Sequence, residues 1–224
     1  MCRPLCDAEL EGSGSIKILA SLERSNLLLV PLDRHGEWYR YHHLFRDMLL
    51  NELHRSEPDL IPVLQRRASD WCQEHGLPEA SLEYAMAAGD VDTVARHFMS
   101  LGVPTYRQGR IGTVERWIRW LQEHGGVDGY PMVAVLASML SALTGQTVAA
   151  ERWADVVDRW HDDATRPDDP TAEAWAALLR SLLCRHGVER MHADADQGIR
   201  RFADIGFVTP TPVLMQGVAR VLSG

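Results

Sequence analysis

Long apolar runs, basic clusters and ligand-spaced cysteines are all missing from this chain of 224 residues, and each absence removes a class of function. No window approaches the ~18 uninterrupted apolar residues of a membrane-spanning helix. The N-terminal stretch MCRPLCDAELEGSG lacks an apolar core of signal-peptide length. No membrane partner is expected, and a cytoplasmic location is. Lysine and arginine total 23 against 31 acidic residues, for a net charge of -8. With no local cluster of cations, that balance repels nucleic-acid phosphates, so direct nucleic-acid binding is not expected. The four cysteines are Cys2, Cys6, Cys72 and Cys184. Only the first two are close, as C-x-x-x-C, without the paired C-x-x-C spacing of a zinc site, and all four read as reduced thiols. The segment GSGSIK from Gly12 has the wrong spacing for a phosphate loop and lacks a hydroxyl after Lys17. H-E-x-x-H and G-x-S-x-G are absent too, so nothing reads as an enzyme, and the chain itself is expected to hold no metal or cofactor.

What remains is a globular composition. With 46% hydrophobic and 24% charged residues, the chain can bury a real core in one extended domain or two small ones. SIKILASLERSN puts Ile16, Leu19 and Leu22 on one helical face. The period then changes: LLLV from Leu27 to Val30 is a short apolar run, PLDRHGE is turn chemistry, and WYRY alternates Trp38 and Arg40 against Tyr39 and Tyr41. A helix followed by a β-hairpin is the second half of a winged-helix pattern. From His42 the helical period returns, with Phe45, Met48, Leu49 and Leu53 on the apolar face.

After Pro58 the chain reads as helix upon helix. Leu60, Leu64, Ala68, Trp71 and Cys72 share a face that Gly76 closes. Ala80, Tyr84 and Ala87 mark the next face, up to Gly89, and Asp90 is placed to N-cap a helix that turns Val91, Val94, Ala95 and Phe98 inward. Val114, Trp117, Ile118 and Leu121 build another, ended by Gly125 and Gly126. Beyond Pro131 the helices come in pairs, and Gly145, Gly187 and Gly224 recur at a spacing in the range of two-helix solenoid repeats such as the tetratricopeptide-like ones. The best single copy is GQTVAAERWADVV, where Ala149 and Ala150 permit close helix contact and Trp153 and Val157 face the packing side. A third pair lacks its second helix at Gly224, so the chain is expected to be a fragment, or a truncated member, of something longer.

Three groups invite a chemical reading. His42 and His43 stand where a strand hands over to a helix. Neighbours on a helix point ~100° apart, so the two imidazoles are poorly placed to share a metal. One histidine half-buried against the hairpin and the other solvated is the plain reading; the alternative is an imidazole beside helix N-terminal amides, where a phosphate is favoured. Trp117, Trp120, Trp153, Trp160 and Trp175 read as core, with an aromatic ligand groove as the alternative. The acidic stretch from Asp162 to Asp169 reads as a solvated loop and, less readily, as a cation site.

The stretch NLLLVPLDRHGEWYRYHHLFRDML resembles the MalT-like large regulators of the LuxR family, signal-transduction ATPases of the STAND class. The likeness continues through RRASDWCQEHGLPEASLEYAMAAGDVDTVARHF and into YRQGRIGTVERWIRWL, over most of residues 20 to 160. It implies a parent with a P-loop ATPase region, a winged helix, a superhelical sensor of tetratricopeptide-like repeats and a C-terminal helix-turn-helix. This chain matches only the end of the winged helix, the connecting helices and the start of the sensor. Within it, YHHLFRDML is similar to the Met-His-Asp-Leu type motif that ends the winged helix in that class. Tyr41 takes the Met place, His42 the His place, His43 the Asp place, Leu44 the Leu place and Asp47 the later acidic place. The resemblance thus implies that His42 senses nucleotide, through the β-phosphate of ADP, in a parent that binds ATP and ADP.

The fold class expected is mainly α: a partial winged helix with a β-hairpin, followed by an α-helical solenoid of tetratricopeptide-like helix pairs. The divisions are a partial winged helix at 1–54, connecting helices at 55–126 and an incomplete superhelical sensor at 127–224. The function expected is the non-catalytic sensor portion of an ATP-dependent LuxR-family transcriptional regulator, cytoplasmic, coupling an inducer to nucleotide-controlled self-association. Its partners would be its own ATPase domain, other protomers, and a small-molecule or protein inducer on the solenoid. The alternative is a stand-alone helical repeat adaptor for protein–protein interaction. A winged-helix DNA binder ranks last, because residues 1–54 hold six basic against eight acidic side chains.

Overall fold

The computed structural model describes residues 14–24, 29–32, 35, 39–125, 130–163, 165, 168–207 and 209–224. Cys2, Cys6, Asp33, Gly36, Trp38 and Gly126 lie outside them, and so do the expectations that rest on these residues. The chain divides into two compact units, Met1–Asp90 and Val91–Gly224. The described residues form eleven helices and one two-stranded hairpin, and the fold is mainly α.

The first unit opens with α1 (Gly14–Arg24), then β1 (Leu29–Pro31) and β2 (Tyr39–Tyr41). The strands pair antiparallel with Leu29 opposite Tyr41 and Pro31 opposite Tyr39. Alternation turns Tyr39 inward and Arg40 outward, so Leu19, Leu29 and Tyr39 form one small core with Leu22 and Tyr41 at its edge. Helix α2 (His43–Ser56) comes next and buries none of its residues. Its expected apolar face is mostly open, with Met48 and Leu49 exposed and Phe45 and Leu53 half-buried. Spacing fixes which residues share a face, but a face is covered only where another element lies against it.

Helices α3 (Leu60–Glu74) and α4 (Pro78–Ala88) pack as a hairpin. Ala68 and Cys72 are buried as expected, but the inward face of α4 is Ser81, Leu82, Ala85 and Ala88, whereas Tyr84 and Ala87 are exposed. The shift arises because a serine takes a core position: the Ser69 hydroxyl donates to the Ser81 carbonyl at 2.8 Å, which lets a polar side chain sit fully inside. A pattern of apolar residues alone misses that position.

The second unit runs through α5 (Val91–Arg107), α6 (Ile111–Glu123), α7 (Pro131–Leu143), α8 (Thr147–Asp162), α9 (Pro170–Leu183), α10 (Val188–Asp204) and α11 (Thr211–Ser223). Helix α5 packs on α7, α7 on α9 and α9 on α11, making one continuous row, while α6 lies on α5, α8 on α7 and α10 on α9. At Gly102 α5 lies close to α7, and an added Cβ would stand 3.4 Å from side-chain atoms of Leu136 and Leu140, at the near edge of ordinary contact. Trp117 and Trp153 are fully enclosed, and burying such a side chain stabilises by roughly 1.5–3 kcal/mol or more.

The α7–α8 hairpin repeats the bonding of α3–α4. Ser138 donates to the Ala150 carbonyl at 2.8 Å, as Ser69 does to Ser81. Gly76 and Gly145 both take positive φ, and the next amide in each turn, Leu77 or Gln146, reaches back to Cys72 or Ser141 at 2.8 Å. This is the bonding of a glycine-closed helix end, used identically in two hairpins that belong to different compact units.

Candidate functional site

Tyr41 ends β2 and lays its ring edge-on against Phe45 at 5.5 Å, which ties the strand to the first turn of α2. Between them His42 occupies the N-cap position with extended backbone, φ -58 and ψ 140, and its carbonyl accepts the Arg46 amide at 3.0 Å. Its side chain makes no cap bond. The plain reading of one half-buried and one solvated histidine is corrected, since both rings are exposed. They also lie alongside each other, with centroids 4.2 Å apart, rather than splayed. The reason is that His42 precedes the helix and only His43 belongs to it, so helical spacing does not separate them. Among the described residues no group of three or more His, Cys, Asp or Glu is gathered to hold a metal.

This junction has the means to meet an anion. The first-turn amides of a helix lack intrahelical acceptors, the first turn of α2 carries no acidic residue, and two imidazoles stand beside it. Asp47, the later acidic position of the motif, is held by Arg46 at 3.0 Å.

The second feature lies in the α5–α7–α9–α11 row. Met99 and Tyr106 of α5, Leu136 and Met139 of α7, Trp175 of α9 and Thr211 of α11 border an open groove of about 460 Å³. That is within the size range of small-molecule sites, and the lining is predominantly apolar with Arg107 as its charged member. Arg107 has no ion-pair or hydrogen-bond partner among the described residues. Of the five tryptophans considered as a ligand groove, Trp175 alone borders this one. Trp117 and Trp153 are core, and Trp120 stacks on His124 at 4.0 Å. The groove was missed in the sequence because its methionines and leucines read as ordinary core. In the acidic stretch, Asp163 bonds Thr165 and Asp169 caps α9 through the Ala172 amide at 3.0 Å, so these two carboxylates close turns. No described helix is long and apolar enough to cross a membrane.

Residues 1–61 match the family model of the MalT winged helix domain. The chain is similar to the HTH-type transcriptional regulator MalT of Vibrio cholerae serotype O1, with 29% identity over 107 residues, covering 48% of this chain and 12% of that protein. The MalT of Vibrio parahaemolyticus serotype O3:K6 is 29% identical over 108 residues, with the same two shares. That of Klebsiella pneumoniae is 28% identical over 98 residues, 44% of this chain and 11% of the relative. The likeness to MalT regulators therefore covers about half of this chain and about an eighth of theirs. No solved structure matches the chain.

Proposed function

We propose that this chain is the non-catalytic regulatory portion of a MalT-like transcriptional regulator, carrying the end of a winged helix, connecting helices and the start of a tetratricopeptide-like sensor. In the longer protein, an ATPase region of the STAND class holds ADP in the resting state and His42 contacts its β-phosphate. An inducer on the α5–α7–α9–α11 groove, with ATP in place of ADP, then releases the winged helix and permits self-association. The observation that carries the reading is the coincidence at one place of the winged-helix match over residues 1–61 and an exposed imidazole at a helix N-terminus free of acidic residues. A phosphate beside that helix end meets first-turn amides and an imidazole together.

The test is ADP titration into the complete parent protein with and without His42→Ala. The reading expects weaker ADP binding and raised activity without inducer. Unchanged affinity and unchanged resting activity would remove His42 from the switch.

A further inference from the structure

The α9 helix buries two charged side chains on one face, Glu173 at 2% and Arg180 at 8% exposure. Glu173 meets His161 of α8 at 3.2 Å. Arg180 is the anomaly. None of its three guanidinium nitrogens has a hydrogen-bond partner, and the nearest carboxylate oxygen, on Asp194, stands 3.7 Å from Nε. Asp194 is itself shared with Arg190 at 3.3 Å. A guanidinium carries five donors in a rigid fork, and leaving them buried and unbonded is costly.

Arg180 borders a pocket of about 430 Å³ together with Asp158, His161, Asp162, His186 and Arg190. Asp158 is already engaged, because Arg185 bonds it at 2.7 Å while also holding Glu151 and Asp155. Asp162 is then the pocket carboxylate with no cation partner among the described residues, while Arg180 and Arg190 share the one carboxylate of Asp194 and His161 meets Glu173. We propose that this pocket binds a small metabolite through an anionic group, a carboxylate or a phosphate, which the Arg180 guanidinium receives bidentately. Planar forks of this kind match carboxylate and phosphate oxygens in pairs. The pocket exceeds a bare ion in size, so the anionic group seats on Arg180 and Arg190 while the rest of the ligand fills the space toward His161 and His186. The site is separate in residues from the apolar groove and does not depend on the regulator reading.

The experiment follows the Arg180 Nε–H and histidine ring signals by nuclear magnetic resonance in the full chain. Succinate and inorganic phosphate are titrated separately, with ionic strength held constant by chloride. A saturable shift of the Arg180 signal is expected with one or both, and the stronger arm identifies carboxylate or phosphate. Affinity should fall at least tenfold in Arg180→Met and severalfold in His186→Ala and Arg190→Ala, whose side chains are exposed; Arg190 also pairs with the buried Asp194, so His186→Ala is the replacement that leaves the packing undisturbed. Asp162→Asn should tighten binding. Absence of a saturable shift with either anion at tens of millimolar overturns the proposal. So does binding that survives unchanged in both His186→Ala and Arg190→Ala, whether or not Arg180→Met folds.

Discussion

Helices α2 and α9 are each 14 residues long and apolar along one side, yet α2 buries none of its residues and α9 buries nine. Helix α2 is held by local pairs, such as Arg55 to Glu52 at 2.7 Å, which contribute only a few tenths of a kcal/mol each. Helix α9 is held from several sides, by α7, α8, α10 and α11. The lesson is that an amphipathic pattern specifies a helix and its face but not the partner. The face of α2 stays open among the described residues, with Leu44 at 64% and Met48 at 55% exposure, whereas α9 is packed on several sides.

The sharpest way to break this contrast is truncation in the core of the second unit and on α2. Trp153→Ala should cost about 3–5 kcal/mol in denaturant unfolding of the chain. Met48→Ala should cost less than about 0.5 kcal/mol. A loss above about 2 kcal/mol at Met48 would mean that α2 is covered after all. Next in size, Ser138→Ala removes one buried hydrogen bond and should cost about 1 kcal/mol, and Ser69→Ala, whose hydroxyl also meets the Ser81 hydroxyl at 3.0 Å, should cost more. A loss at Ser69 no larger than that at Ser138 would show that the added contact with the Ser81 hydroxyl contributes nothing.

A third test uses pH. Burial, reinforced by the charge of Arg96, holds the buried His97 imidazole below its ordinary pKa. The unfolded chain therefore takes up this proton first as the pH falls. Stability from this source is present above about pH 6.5 and is lost on acidification through the interval between the unfolded and folded values. His97→Phe should flatten that part of the stability profile in urea titrations repeated across pH. Smallest is Gly102→Ala, where a gain in helix propensity of about 1 kcal/mol opposes crowding against Leu136 and Leu140. The net shift in unfolding midpoint should be slight, and a large loss would show that the α5–α7 spacing is rigid.

Much of this was legible in the residues. The apolar positions of α6, Val114, Trp117, Ile118 and Leu121, are all buried, and Gly76 and Gly125, read as helix ends, and Gly145, read as a separator of paired helices, take positive φ. The hairpin was readable from the alternation around Tyr39. Three things were not. The inward face of α4 depends on a serine, α2 lacks a cover that its spacing implied, and α9 buries two charges, Glu173 and Arg180, among its alanines and leucines. Glu173 and Arg180 are two helical turns apart on one face with Ala177 between them, so their spacing was a usable signal. Charged residues are normally assigned to the solvent side, and only their three-dimensional partners reverse that assignment. For the candidate site, His42 was named from a resemblance of motif and its place at the strand-to-helix junction was legible, but the exposure of both histidines required the structure.

The central claim is that this is a working part of a larger regulator, and the most direct test is the mass of the native polypeptide in its source cells. An antibody raised against residues 131–224 should detect a band several times larger than 25.2 kDa. A sole band at 25.2 kDa would contradict the claim and leave a self-standing helical adaptor in its place.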